Sequence, residues 1–295
     1  IKGINGETIN LYDGISNYLV TFDGTWQRFS LAGNFSGAQV LSINTYAGTA
    51  RDILVAFAQA ETGDIATQYI ATTSAAVSVG PVANVPRLDY LGSSCPRLLL
   101  EVQRTNLALQ SESVASDTNV GYSVTANNAT SPDGYVNADR ILEDTGTLHL
   151  IQKEFSVGST TDSYAVSFFV KANGRTSGRI LYGLNGAPFS SVSATFDLSA
   201  GTITAASGDN SATAGSSKIE NYGNGWYRVS VTGVIGTAGT HYVRIQDANG
   251  GAAGDPTKGF YVYGFQAELG AYATSYIPTL GAAVTRGADA AYKTG

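Results

Sequence analysis

The chain has 295 residues, 43 % hydrophobic and 14 % charged, with 35 glycines, 17 tyrosines and 7 prolines. A net charge of -6 argues against a nucleic-acid partner, because neutralising phosphates needs clustered Lys and Arg, and no run approaches the ~18 apolar residues of a membrane span. The single cysteine, Cys95, excludes an intrachain disulfide and any cysteine-rich zinc site.

The N-terminus lacks the pattern of a signal peptide. With no methionine anywhere, Ile1 does not read as a translation start, and the chain is expected to be a piece of a longer one. From there period-2 alternation dominates. GTWQRFSLAG (24–33) reads as a strand, and QAETGDIATQYIATTSAAV (59–77) as a strand that ends in Gln-Ala-Glu and runs on into an extended tail. Prolines mark 81–103 as a connector, and one helix-like turn is expected around Arg104 to Ser113. SYAVSFFVKA, GRILYGL, WYRVSVTGV, HYVRIQD and FQAEL follow as strands between Gly-, Asn- and Asp-rich turns. Short strands at roughly 8–12-residue spacing predict an all-β sandwich or barrel.

Residues 266–284, QAELGAYATSYIPTLGAAV, repeat 59–77 without a gap, with 12 of 19 positions identical. Upstream, NGWYRVSVTG (224–233) aligns with 24–33, which pairs Trp26 with Trp226, Arg28 with Arg228 and Ser30 with Ser230. The second copy carries a longer loop, DANGGAAGDPTKG, of the sort sandwiches tolerate at a tip. The duplication predicts tandem antiparallel modules. Residues 1–80 would be the C-terminal part of a first one, completed by upstream residues or another chain, and 104–295 a complete second one. The ATSYIPT tail reads as a strap, extended ahead of its proline, with Tyr276 and Ile277 packing back on the domain.

The ordered blocks EVQRTNLALQSE, SPDGYVNADRILED, SYAVSFFVKANGRTSGRI, ATFDLSAGTITAASG, IENYGNGWYRVSVTG and YGFQAELGAYATSYIPTLGAAVTRGAD resemble a module recurrent in tailed-phage fibre and spike proteins, itself similar to carbohydrate-binding jelly rolls. The resemblance spans Arg104 to Asp289, with Trp26 to Val77 as a partial second copy. It implies jelly-roll β-sandwich modules and a virion structural or receptor-facing role. It brings no catalytic motif and no site residues.

Candidate chemistry is sparse. His149 and His241 are far apart in sequence and are expected as surface or strand-edge residues. No serine lies in a Gly-Xaa-Ser-Xaa-Gly elbow. Glu143 and Asp144 are adjacent, and adjacent strand residues face opposite sides, which is wrong for glycoside hydrolysis. Asp247, Asn249 and Asp255 offer oxygen ligands without a calcium-loop spacing, so a solvated loop is expected and no metal or other cofactor. Trp226, Arg228 and Ser230 share one face of their strand, with Tyr227, Val229 and Val231 on the core side. Tyr242, Arg244 and Gln246 form a row opposite His241, Val243 and Ile245. Aromatic rings beside fixed Arg and Gln donors suit a pyranose, so Trp226, Arg228, Tyr242, Arg244 and Gln246 are candidate glycan contacts. The alternative for the tryptophan is structural packing against its arginine. The expected role is a non-enzymatic virion protein: a phage fibre, spike or capsid-decoration subunit. It would be a homo-oligomer, trimer favoured, docked on other virion proteins, with a host surface glycan as a candidate ligand. The competing reading is a carbohydrate-binding module of a larger secreted bacterial glycan-active enzyme.

Overall fold

The computed structural model describes residues 1–12, 17–30, 42–45, 51–56, 58, 87–89, 97–186, 189–248 and 252–289, in two compact units, Ile1–Gly80 and Pro81–Gly295. The described residues are all-β, with no helix, and all the strand ladders are antiparallel. The first unit holds β1 (Thr8–Tyr12), β2 (Asn17–Thr21) and β3 (Ser42–Thr45), with β1 in the centre. Ile9 and Leu11 share the inner face of β1 and close on Phe22, with Phe29 and Ile53 against them.

The segment around Trp26, expected as a strand matching the one at Trp226, has no ladder partner among the described residues, and Trp26 is 56 % exposed. The Asp23 carboxylate accepts hydrogen bonds from the amide and hydroxyl of Thr25, at 2.8 and 2.7 Å. Gly24 takes φ +84°. Asp and Gly here build a local turn that competes with strand pairing. The repeated stretch 59–77 lies outside the described residues.

In the second unit the strands are β4 (Arg87–Asp89), β5 (Arg97–Leu99), β6 (Arg104–Asn106), β7 (Thr118–Val120), β8 (Tyr122–Thr130), β9 (Val136–Glu143), β10 (Leu150–Val157), β11 (Tyr164–Asn173), β12 (Ser177–Leu184), β13 (Ser191–Asp197), β14 (Thr202–Ile203), β15 (Ser207–Gly208), β16 (Thr213–Gly223), β17 (Trp226–Val234), β18 (Gly239–Asp247), β19 (Gly259–Leu269) and β20 (Val284–Arg286). One sheet runs β14-β13-β12-β18-β10-β7, with β15 also on β13; the other runs β16-β17-β11-β19-β9-β8. They pack as a jelly-roll-like sandwich. β4 pairs with β5, so part of the expected connector is a small hairpin. Arg104 to Ser113 is a short strand and turns rather than a helical turn.

Alternation sets the core. Val192, Ala194 and Phe196 of β13 and Val243 and Ile245 of β18 meet Val166, Phe168 and Val170 of β11 and Val229 and Val231 of β17. Phe168 lies 5.1 Å from Phe265, ring centre to ring centre, and each such buried side chain stabilises the fold by about 1.5–3 kcal/mol. At Gly264 (φ +63°) β19 carries an extra residue against β11. A Cβ there would sit 2.8 Å from Phe169, so only glycine suits this bulge.

Residues 271–286 form the expected strap, which lies across the outer face of the six-stranded sheet. The Glu268 carboxylate accepts from the Thr274 amide (2.7 Å) and hydroxyl (2.6 Å). Gln266 accepts from the Ile277 amide at 2.7 Å. Asn106 donates to the Ile277 carbonyl at 2.8 Å, Tyr276 meets Ser111 at 2.6 Å, and β20 closes the strap on β6. Gln266, Glu268, Thr274, Tyr276, Ile277 and Thr279 are all identical in the first copy of the repeat. In the second copy, therefore, the repeated residues are largely the ones that fasten the strap.

Candidate functional site

The five residues expected to contact glycan do not come together. Trp226 and Arg228 stand on β17 in the six-stranded sheet, and Tyr242, Arg244 and Gln246 on β18 in the seven-stranded one. The parity read along β17 holds, since Val229 and Val231 enter the core, but the opposite face is not open. Trp226 is 2 % exposed, packed with Phe169, Tyr263 and Ala138 beside Tyr276 of the strap. Its Nε1 donates to the Thr130 carbonyl at 2.9 Å. Arg228 donates to the Thr274 carbonyl (2.7 Å) and to Ser167 Oγ (2.9 Å), and its guanidinium lies over Phe169 rather than the indole. Both side chains hold the strap and present no surface to a saccharide.

The outer face of the seven-stranded sheet has no such cover from the strap. On β18, Tyr242, Arg244 and Gln246 point outward, opposite His241, Val243 and Ile245, as read from the sequence. Tyr242, however, is only 2 % exposed. Its ring lies across Gly183, where an added Cβ would meet the phenol oxygen at 2.5 Å, and the Arg244 guanidinium caps it at 4.2 Å from the ring centre. Burial raises the Tyr242 pKa, so the phenol stays neutral. The expected open stacking plate is thus a ring sealed under a cation. Arg244 donates to Gln152 on β10, through Nε at 3.1 Å and also through a second guanidinium nitrogen. Arg179 of β12 pairs in register with Gln246 and donates to Ser193 at 3.0 Å. A groove of about 440 Å3 opens here, lined by Ser177, Arg179, Thr195, Gln246 and Leu148 among others.

The histidines differ from expectation: both are buried. His241 is held between the Tyr182 hydroxyl (2.9 Å) and the Thr237 carbonyl (2.7 Å), and burial lowers its pKa. His149 joins the ends of β9 and β18. Its Nδ1 lies 2.6 Å from Asp247 Oδ2 and its Nε2 3.1 Å from Asp144 Oδ1. Burial works against its charge, but the hydrogen bond and charge of Asp247, with Asp144 and Glu143, outweigh it and raise its pKa. Glu143 receives both arms of Arg175 at 2.6 Å and the Asp255 amide at 2.9 Å. Burial would raise the Glu143 pKa, but those bonds lower it.

Glu143, His149 and Asp247 offer ligand atoms within 4.8 Å of one another. Arg175 nevertheless occupies both Glu143 oxygens, and a cation would have to displace a guanidinium and a proton. With both imidazole nitrogens facing carboxylates, His149 presents no lone pair to activate a nucleophile. The cluster fastens loops. Asp255, read as a candidate loop ligand, instead accepts from the Thr257 amide and hydroxyl at 3.0 and 2.7 Å and pairs with Lys258; Asn249 lies outside the described residues.

Sequence reasoning missed Arg179, Gln152 and the His149 cluster. The parity of GRILYGL sets Arg179 apart from Ile180, but only the pairing of β12 with β18 brings it beside Arg244. No protein-family model matches this sequence, and none of the curated proteins matches it.

Proposed function

We propose that the chain is a non-enzymatic structural and recognition protein of a virion, a phage fibre, spike or decoration subunit, built from modules in series and assembled as a homo-oligomer on other virion proteins. The observation that carries this reading is the repeated strap sequence: six of the residues that fasten the strap in the second unit recur 207 positions upstream in the same chain. A chain that repeats the sequence of this strap suits an assembly of modules in series. The burial of Trp226 and Arg228 leaves the outer face of the seven-stranded sheet as the candidate contact for a host glycan. Committing both nitrogens of His149 to carboxylates fits a role without turnover.

The test is immunogold labelling, with antibody against the purified chain, of phage particles and of the secreted fraction from the strain that carries the gene. Gold on particles is expected. Gold absent from particles and chain recovered only in the secreted fraction, fused to a glycan-cleaving domain, would overturn the proposal.

A further inference from the structure

We infer that the outer face of the seven-stranded sheet, at Arg179, Arg244 and Gln246, binds an anionic saccharide, whose carboxylate or sulfate is held by the two guanidinium groups. The inference rests on the glycan-contact part of the reading above and names the class of glycan.

Three observations converge. First, the sheet sets the two arginines side by side. Arg179 is directly opposite Gln246, and Arg244 is two residues before Gln246 on the same face, so the two arginines are diagonal neighbours, about 7–8 Å apart at the backbone. Their forks can converge on one anion.

Second, no carboxylate pairs with them. In a chain with 23 acidic and 17 basic residues, neither guanidinium has a carboxylate at ion-pair distance among the described residues. Their partners are neutral: Ser193 for Arg179, Gln152 and the Tyr242 ring for Arg244. Glu154 is engaged with the amide of Gln152, and Asp247 turns to His149. Two like charges on adjacent strands repel; burial, with a smaller contribution from Arg179, lowers the Arg244 pKa. An anion between them would relieve that repulsion and use guanidinium donors that the fold leaves unspent.

Third, the groove beside them has the lining of a sugar site. Its about 440 Å3 falls within the roughly 300–1,000 Å3 of small-ligand clefts. Ser177, Thr195 and Gln246 supply hydroxyl and amide partners for sugar hydroxyls, and Leu148 an apolar wall; the one acidic residue of the lining, Asp247, has its Oδ2 on His149. A neutral sugar would look for an open aromatic plate, and Tyr242 is closed under Arg244. Recognition therefore falls to charge. A nucleic acid, which needs a longer track of cations, suits a pair of arginines in an acidic chain poorly.

The experiment is titration of the full chain with polygalacturonate, heparin and dextran at low and high salt, repeated with Arg179→Gln and Arg244→Gln, with melting curves as the control on folding. Binding to polygalacturonate or heparin but not dextran is expected, and which of the two binds decides between carboxylate and sulfate. It should weaken with salt and fall about tenfold or more in Arg179→Gln, whose melting curve should stay close to that of the unmutated chain. Tight binding that Arg179→Gln and Arg244→Gln both leave unchanged would overturn the site. Binding to dextran alone would overturn the anionic class and leave a glycan role standing. Failure to bind any of these, extended to a broad glycan array, would remove both.

Discussion

Glu268→Ala is expected to release the strap. The carboxylate is fully buried and accepts from the Thr274 amide at 2.7 Å, the Thr274 hydroxyl at 2.6 Å and the Gln266 amide at 2.7 Å, with the Arg104 Nε at 3.6 Å. Removing it leaves a buried backbone amide and an arginine without their anion. Hydrogen bonds to a charged group contribute about 1.5–3 kcal/mol each, but members of one network do not add. Breaking a buried ion pair by deleting one partner costs about 3–5 kcal/mol, and that is the expected loss.

For a unit of this size about 3–5 kcal/mol corresponds to a fall of roughly 6–20 °C in melting temperature. Urea unfolding of the full chain followed by tryptophan fluorescence gives the value. Of the two tryptophans, Trp226 is buried beneath the strap and Trp26 is exposed, so the change in signal reports on the strap. Limited proteolysis should then cut within 271–286 before the sandwich unfolds. Glu268→Gln keeps one acceptor and should lose less. A loss below about 1 kcal/mol in Glu268→Ala, or a strap as resistant as before, would refute the assignment of the repeated residues as fasteners.

Trp226→Ala should cost about 3–5 kcal/mol as a core truncation, and Trp226→Phe much less, since it keeps most of the ring and gives up only the bond to Thr130; urea midpoints check both. Tyr242→Ala should also destabilise, by about 3 kcal/mol, because the ring is sealed between Gly183 and Arg244; an unchanged melting curve would show the ring to be open after all. His149 links stability to pH. Its folded pKa lies above the ordinary 6.5, so its contribution is complete below that value and is lost as pH rises through the folded one. The urea midpoint should decline on the alkaline side of about 6.5, and the part of that decline due to His149 should vanish in His149→Gln.

The strands, the core side of β17 and β18 and the strap were legible because each rests on local pattern. Alternation gives parity, and parity gives the face. What alternation cannot give is the sheet to which a strand belongs. WYRVSVT and HYVRIQD have the same outward rhythm of aromatic and arginine, yet one lies in each sheet. Nor does it predict a turn that overrides a strand pattern: around Trp26 the bonds that Thr25 donates to the Asp23 carboxylate win over the likeness to 224–233. The histidines were misread as surface residues because their partners, Asp247 for His149 and Tyr182 for His241, are 98 and 59 positions away. No local pattern joins them.

The two outer faces of the second unit show how much one short segment decides. Each carries an aromatic residue, an arginine and a polar side chain in alternation: Trp226, Arg228 and Ser230 on one, Tyr242, Arg244 and Gln246 on the other. On the six-stranded sheet the strap arrives with carbonyls, and Arg228 spends its charge on the Thr274 carbonyl and Ser167. That face becomes a second small core around Trp226 and Phe169. On the seven-stranded sheet no strap arrives, so Arg244 folds onto its own tyrosine and shares the face with Arg179. The same residue types are therefore glue on one sheet and unspent donors on the other. The residues of that glue recur upstream in the sequence, while Arg244 falls outside the repeated blocks, so the face of the second unit that the strap covers is the one whose sequence the chain repeats.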